Sequence, residues 1–81
     1  MKFTVRHLVI QCEGKFYNKF AKHFVPQITA SCLFYTEDEM RKASNSLEFV
    51  HQVLVVECEY FQGMSCRILE GGTLDDFYNL E

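Results

Sequence analysis

The sequence predicts a small α+β fold, in which an antiparallel sheet of four or five strands carries one helix on a face in the order β-β-β-α-β-β. Three observations predict it: several segments alternate apolar and polar residues, two-residue glycine turns separate some of them, and one segment has a helix cap followed by helical spacing. With 81 residues, 48% hydrophobic and 15% aromatic, the chain is a single folding domain. We expect this domain to span 1–70 and an acidic, aromatic tail to span 71–81.

The first hairpin is predicted from residues 2–20. Residues 2–12 alternate with apolar side chains on both faces, which is typical of a strand covered on both sides. Glu13 and Gly14 form a two-residue turn in which glycine takes the positive φ, and residues 15–20 return as the partner strand.

A loop and a third strand follow. Residues 21–27 contain the only proline, Pro26, and predict a loop. Residues 28–35 alternate again, with Ile28, Ala30, Cys32 and Phe34 on one face, and predict the third strand.

The helix has the clearest local signal. Thr36 and Glu39 form a capping box, and acids fill the first turn, where they suit the positive end of the helix. The pattern predicts a helix over 37–51, although the run from Ser44 to Ser46 is a mediocre helix former. Its apolar stripe, at helical spacing, consists of Met40, Ala43, Leu47 and Val50.

A second hairpin is predicted from a strand over 53–61, a turn at Gln62 and Gly63, and a strand over 64–69. For the tail, the pattern predicts either a short docked helix capped by Thr73 or a flexible end. Residues 57–63 read ECEYFQG, which resembles the recognition sequence of a viral protease used to remove expression tags. Because the segment continues a strand's alternation into a turn, we interpret it as a natural hairpin, with an engineered scar as the alternative.

One helix covers only one face of such a sheet. If the other face carries Phe3, Val5, His7 and Val55, it needs a second cover. The tail or a second copy of the chain, forming a homodimer, would supply it.

The net charge of −3, without a basic run, disfavours binding to duplex nucleic acid through phosphates. No signal peptide and no membrane-spanning stretch is evident, so we expect a soluble protein of the cytoplasm. Four cysteines without a C-x-x-C pair predict reduced, structural residues in that compartment. A metal or redox module using these cysteines, with His7, His23 or His51 as further metal ligands, is an alternative.

No catalytic motif is present, so we predict a binding protein that is not an enzyme and needs no cofactor or metal. Acids flanked by aromatics suit a basic partner, because they combine anchoring with electrostatic steering. The predicted partner-binding residues are Asp75, Asp76, Phe77, Tyr78, Glu57, Glu59, Glu37 and Asp38.

A second candidate surface lies within residues 15–24, where basic and aromatic side chains interleave. It predicts, as an alternative, a module that binds single-stranded nucleic acid or a nucleotide by stacking and charge. Its residues are Lys15, Tyr17, Lys19, Lys22 and His23. Burial of the aromatics, with the lysines solvating an edge strand, is the simpler interpretation of the same pattern.

The segments GKFYNKF (14–20), ITASCLFY (28–35) and TEDEMRKA (36–43) resemble, in layout, small accessory proteins encoded by bacteriophages. The resemblance covers residues 5–61. It implies a hairpin, a strand, an acidic-capped helix and a last strand, and an inhibitor of the anti-CRISPR or host-takeover type. Such a protein would bind and block a host protein or defence complex in the host cytoplasm. No functional residue is implied by it.

Overall fold

The computed structural model describes residues 4–60, 63–69, 72 and 74–78, and it confirms the predicted α+β architecture. Five strands form one antiparallel sheet in the spatial order β3-β2-β1-β4-β5, and helix α1 lies between β3 and β4 in the chain. The elements are β1 (Thr4–Cys12), β2 (Lys15–Asn18), β3 (His23–Val25), α1 (Glu37–Ser46), β4 (Gln52–Tyr60), β5 (Met64–Ile68) and α2 (Leu74–Tyr78).

The centre of the sheet is the long pairing of β1 with β4, which runs from Thr4 opposite Glu59 to Gln11 opposite Gln52. Three consecutive residues of β1, Leu8, Val9 and Ile10, have no solvent exposure. Consecutive strand residues point to opposite faces, so both faces of the sheet are covered here. Each such side chain contributes about 2 kcal/mol through burial, which makes this strand the main anchor of the fold.

The strand pairing of both predicted hairpins is confirmed, while the predicted turn at Gln62 and Gly63 lies partly outside the described residues. In the first, Cys12 pairs with Lys15, and Glu13 and Gly14 both have positive φ (52° and 77°), as a type I′ turn requires. In the second, Tyr60 pairs with Met64. Residues 57–60, part of the tag-like motif, are the last four residues of β4, whereas residues 61 and 62 lie outside the described ranges.

The predicted position of the third strand is wrong. The third strand is β3, within the segment predicted as a loop; it pairs Val25 with Phe16 and stops before Pro26. A strand of three residues is too short to show an alternating pattern, and the neighbouring proline hides it further.

Residues 28–35 instead form a 3₁₀ helix, Ala30–Cys32, and a single bridge between Phe34 and Leu8. Cys32, Leu33 and Phe34 are all buried, the first two in the core cluster on one face and Phe34 in the cluster on the other. The chain therefore passes around the edge of β1. An alternating pattern of apolar residues does not distinguish such a segment from a strand.

Helix α1 begins as predicted but ends early. The Thr36 hydroxyl accepts a hydrogen bond from the Glu39 N–H at 3.2 Å, while the Glu39 carboxylate accepts from the Tyr35 N–H. The predicted end at residue 51 is wrong, because Leu47 is already extended (φ −90°, ψ 128°). Val50, placed on the apolar stripe by its spacing, is 93% exposed. The serine-rich last turn explains the early end.

The strand register shows that one residue was assigned to the wrong face of the sheet, the second face, on which His7 lies. His7 lies opposite Val56, whereas Val55 lies opposite Leu8, so Val55 does not share a face with His7. The second face is covered in part by Cys32 and Leu33.

The described part of the tail, helix α2, packs on the first face of the sheet. Phe77 of α2 packs on the cluster formed by Leu8, Ile10 and Met40, which is the face that α1 also covers. Close approach is possible at Gly72, where a Cβ would lie 3.1 Å from the Leu69 carbonyl oxygen. The predicted division between 1–70 and 71–81, and the predicted cap at Thr73, lie outside the described residues.

Candidate functional site

A groove of about 540 Å³ lies beside the first half of β1. In the described part of the chain, β2 pairs only with the last two residues of β1, and Phe34 bridges at Leu8, so neither element flanks the strand's beginning. The beginning of α1 and the end of α2 border this opening instead. The lining residues are Val5, Arg6, His7, Tyr35, Thr36, Glu37, Asp38, Phe77 and Tyr78.

Helix α2 is held at the groove by three contacts of different kinds. Phe77 is half-buried in the core cluster of the first face. Arg6 donates from its guanidinium Nη1 to the backbone carbonyl oxygen of Asp76 at 2.6 Å. The Tyr78 hydroxyl donates to Glu37 Oε1 at 2.6 Å, which joins the two helices across the opening.

The rim of the groove is electronegative. The hydrogen bond to Glu37 raises the pKa of Tyr78, with burial and the nearby carboxylates of Glu37 and Asp38 acting in the same direction. Glu37 is also in contact with Arg41 one turn along α1. Asp38 is exposed, and among the described residues it forms no hydrogen bond or ion pair.

A row of charges crosses the sheet, starting from Arg6 in the groove lining. Arg6, Glu57 and Arg67 occupy opposite positions on β1, β4 and β5. The Arg6 guanidinium lies 3.5 Å and the Arg67 guanidinium 2.8 Å from the Glu57 carboxylate. These contacts, first the hydrogen bond from Arg67, lower the pKa of Glu57, so the carboxylate is ionised and its charge is matched within the row.

His7 is the buried polar side chain of the groove, with 5% exposure. Its Nε2 lies 3.2 Å from the Tyr60 hydroxyl, and its ring meets the Tyr35 ring edge-on at 4.7 Å. The Nδ1 atom has no hydrogen-bond partner in the described part of the chain. Burial, reinforced by the charge of Lys19, lowers the pKa of His7, so the imidazole is neutral at pH 7.

The predicted partner-binding residues divide into two groups. Four of them line the groove together: Glu37, Asp38, Phe77 and Tyr78. The other four do not line the groove: the Asp76 carbonyl accepts from Arg6, Glu57 is paired with two arginines, and Asp75 and Glu59 lie outside the lining.

Arg6, His7 and Tyr35 were missed as groove residues. A charged residue and a histidine side by side in an apolar central strand were the available signal.

Two of the five residues of the predicted basic surface, Tyr17 and Lys19, are held by internal contacts. Lys19 is only 14% exposed; its ammonium donates to the Leu33 carbonyl oxygen at 2.7 Å and lies 5.1 Å from the Tyr35 ring centre. Tyr17 packs against Phe24 with ring centres 5.4 Å apart. Lys15, Lys22 and His23 are exposed.

The expectation of four reduced cysteines is wrong for two of them. Cys58 and Cys66 lie directly opposite each other on β4 and β5, and they form a disulfide on the second face of the sheet. Cross-strand neighbours of this kind have Cβ atoms close enough for a bond, which sequence spacing alone does not reveal. Cys12 and Cys32 are free thiols. Within the described ranges, no three His, Cys, Asp or Glu side chains form a group suited to a metal ion.

Comparison of the chain with protein-family models, with curated proteins and with solved structures gave no match in any of the three. In the described part of the chain, neither helix has the length and apolar character needed to cross a bilayer.

Proposed function

We propose that this chain is a non-enzymatic binding protein that uses the groove beside β1 to hold a segment of a partner protein. One observation carries the proposal: four of the residues singled out in the sequence as partner contacts, Glu37, Asp38, Phe77 and Tyr78, come from distant parts of the chain and line the same opening. Aromatic anchors ringed by charged groups are typical of protein recognition sites.

The character of the rim favours a protein over nucleic acid. Tyr35 and Tyr78 are 54% and 58% exposed, although large aromatic side chains are usually buried in small domains. The carboxylates beside them repel phosphate groups, which dominate the affinity of nucleic acids. Arg6, the basic side chain of the groove lining, is paired with Glu57 and holds α2, so it offers little to a phosphate.

The layout resemblance to small phage proteins extends the proposal to the kind of partner. We propose an inhibitor that blocks a host protein or defence complex of the anti-CRISPR type, in the cytoplasm of the host cell. In that compartment thiol reductants keep most cysteines in the reduced form, so Cys58 and Cys66 would be free thiols there. A homodimer across the partly covered second face of the sheet is compatible with this arrangement.

The proposal is tested by affinity capture from a nuclease-treated bacterial lysate. The bait is the tagged chain, and the groove variant is Asp38→Lys with Tyr78→Ser. Its matched control is Phe20→Ser with Lys22→Glu, which also reverses one charge and removes one exposed aromatic. We expect one stoichiometric protein partner that the control retains and the groove variant loses.

Either of two results would overturn the proposal. The first is a partner retained by the groove variant and lost by the control. The second is the absence of any protein partner from lysates of every host tested. Thermal unfolding of both variants, compared with the unmodified chain, shows whether a loss of capture reflects binding or folding.

A further inference from the structure

We propose that Cys58 and Cys66 form a thiol–disulfide switch that regulates the groove. The disulfide holds β5 on β4 and thereby keeps α2 at the groove, and reduction of the disulfide loosens both elements. This inference rests on the proposed function, because it concerns the regulation of the same groove. It is carried by the position of the disulfide in the strand ladder, by the exposure of β5 and by two connections from β5 to α2.

The disulfide links two opposed residues that do not bond each other through their backbones. The Leu69 N–H donates to the Val55 carbonyl oxygen at 2.9 Å, and hydrogen-bonded and non-hydrogen-bonded pairs alternate along an antiparallel ladder. Counted from that bond, Cys58 and Cys66 form a non-hydrogen-bonded pair, with Cα atoms 4.1 Å apart. The sulfur bond therefore ties β5 to β4 at a rung where the described ladder itself is weak.

Strand β5 has few other restraints. It is the edge strand of the sheet and, in the described part of the chain, it pairs with β4 alone. Met64, Ser65 and Arg67 are exposed, and Cys66 and Ile68 are only half-buried. The Arg67 side chain, 73% exposed, pairs with a carboxylate of β4, and exposed ion pairs of this kind contribute little to stability. The disulfide is therefore the strongest single link between β5 and the sheet.

The first connection from β5 to α2 is the chain itself. Strand β5 ends at Ile68 and α2 begins at Leu74. In this short connection the Gly72 N–H donates to the Leu69 carbonyl oxygen at 3.1 Å, and a Cβ added at Gly72 would lie 3.3 Å from the Val55 Cβ. The path to α2 thus begins at β5 and packs closely on the sheet, so the release of β5 frees one end of it.

The second connection is the row of charges. Arg67 of β5 shares the Glu57 carboxylate with Arg6, and Arg6 also donates to the Asp76 carbonyl oxygen of α2. Without Arg67, the Glu57 carboxylate competes more strongly with that carbonyl oxygen for the donors of Arg6. Both connections act in the same direction, because each of them loosens the helix that forms one wall of the groove when β5 is released.

The switch operates by thiol–disulfide exchange with glutathione. A glutathione thiolate attacks the Sγ atom of Cys66, which is half-buried, whereas Cys58 has no solvent exposure. The Sγ–Sγ bond breaks, and its electron pair and a proton go to Cys58. A second glutathione thiol then displaces the first from Cys66. In total the protein disulfide takes up two electrons and two protons while two glutathione thiols become one glutathione disulfide, which also drives the reverse reaction.

The direction of the regulation follows from the freedom of α2. In a reducing cytoplasm the dithiol is the resting form, and its groove has a loosened wall. A wall that is already fixed loses less freedom when a partner binds, so the disulfide form holds the partner more tightly. Oxidation therefore strengthens the groove.

The test compares amide hydrogen exchange of the ¹⁵N-labelled full chain in the disulfide form and after reduction with dithiothreitol. We expect reduction to speed the exchange of the Leu69 and Gly72 amides about ten-fold, because their hydrogen bonds open with β5. The Leu8 amide, bonded to Phe34 at the centre of the sheet, should change by less than about two-fold. The amide signals of Phe77 and Tyr78 should shift on reduction.

Two variants define the origin of the effect. Cys66→Ser should exchange like the reduced chain under all conditions. The matched control is Cys12→Ser, which removes a half-buried strand cysteine outside the pair and should respond to dithiothreitol like the unmodified chain.

Three results would each overturn the inference. The first is a dithiol that glutathione disulfide does not oxidise, measured by thiol trapping and intact-mass spectrometry. The second is an equal acceleration of all three amides, which would mean a global loss of stability. The third is a loosened β5 with unchanged signals of Phe77 and Tyr78.

The capture experiment separates the switch from the proposed function. The oxidised bait should retain at least five-fold more partner than the Cys66→Ser bait. Equal capture by the two baits would overturn the redox control and leave the proposed function standing. The expected exchange data without any captured partner would leave the switch standing and overturn the proposed function.

Discussion

The acidic and aromatic residues of the groove and the basic segment 15–24 both belonged to candidate binding surfaces in the sequence, and the two regions differ in how they are built. The groove joins residues far apart in the chain, as in the contacts of Arg6 with Asp76 and of Glu37 with Tyr78. The basic segment consists of near neighbours, and its central lysine, Lys19, turns inward to the Leu33 carbonyl. Closeness in sequence alone therefore does not bring charges to one surface, because Lys19 turns inward while Lys15, Lys22 and His23 stay exposed.

The largest expected effect is on the groove. Phe77→Ala removes the half-buried side chain by which α2 packs on the core, so we expect the free energy of unfolding to fall by about 2 kcal/mol. Urea unfolding followed by circular dichroism measures this change. In ¹⁵N spectra the amides of Tyr35 and Asp38 should shift, and those of Lys22 and His23 should not.

A loss below about 0.5 kcal/mol, the range of ordinary surface substitutions, would mean that α2 contributes little to the wall of the groove. The control is Tyr78→Ala, which removes a neighbouring side chain that is 58% exposed. This substitution should lower the free energy of unfolding by less than half as much as Phe77→Ala.

A smaller effect distinguishes the lysines of the basic segment. Lys19→Met leaves the Leu33 carbonyl without its charged donor, and we expect a loss of about 1.5 kcal/mol in unfolding free energy. Lys22→Met, at an exposed position, should stay within about 0.5 kcal/mol of the unmodified chain. Equal effects of the two substitutions would show that Lys19 is a surface residue like its neighbour.

The smallest effect is the pH dependence that His7 confers. Because its pKa is lower in the folded state than in the unfolded state, the unfolded chain binds more protons as pH falls below about 6.5. Stability is therefore full above that pH and declines below it, by at most about 1.4 kcal/mol per pH unit.

His7→Gln should remove this decline between pH 6.5 and 5, while His23→Gln, at an exposed position of the basic segment, should keep it. Urea midpoints measured across that pH range provide the comparison. An unchanged pH profile in His7→Gln would show that the imidazole titrates alike in both states.

The elements that the sequence predicted well are those that local chemistry determines. The capping box at Thr36 and the turn at Glu13 and Gly14 depend on neighbouring residues, and both are found at the predicted positions. Val53–Val56 in β4 is a run of strong strand formers, and its assignment is equally secure.

The wrong predictions concern segments whose structure is determined by tertiary contacts. The segment from Ile28 to Phe34 has a strand's pattern, but its buried residues serve two faces of the sheet as the chain rounds an edge. The pairing of Cys58 with Cys66 depends on the register between two strands, which no spacing rule supplies. In the same way, residue types alone identified the acids and aromatics of the groove as binding residues. That they lie beside Arg6 and His7 is visible only in the folded structure.

The position of β1 at the centre of the sheet has a consequence for biosynthesis. This strand is synthesised before its long partner β4, which is complete only 48 residues later. At the usual 5–20 residues per second, this delay lasts roughly 2–10 s on the ribosome. During that interval Leu8, Val9 and Ile10 are without the cover they have in the native state. The nascent chain should therefore be a good substrate for chaperones that bind short apolar segments until Tyr60 has emerged.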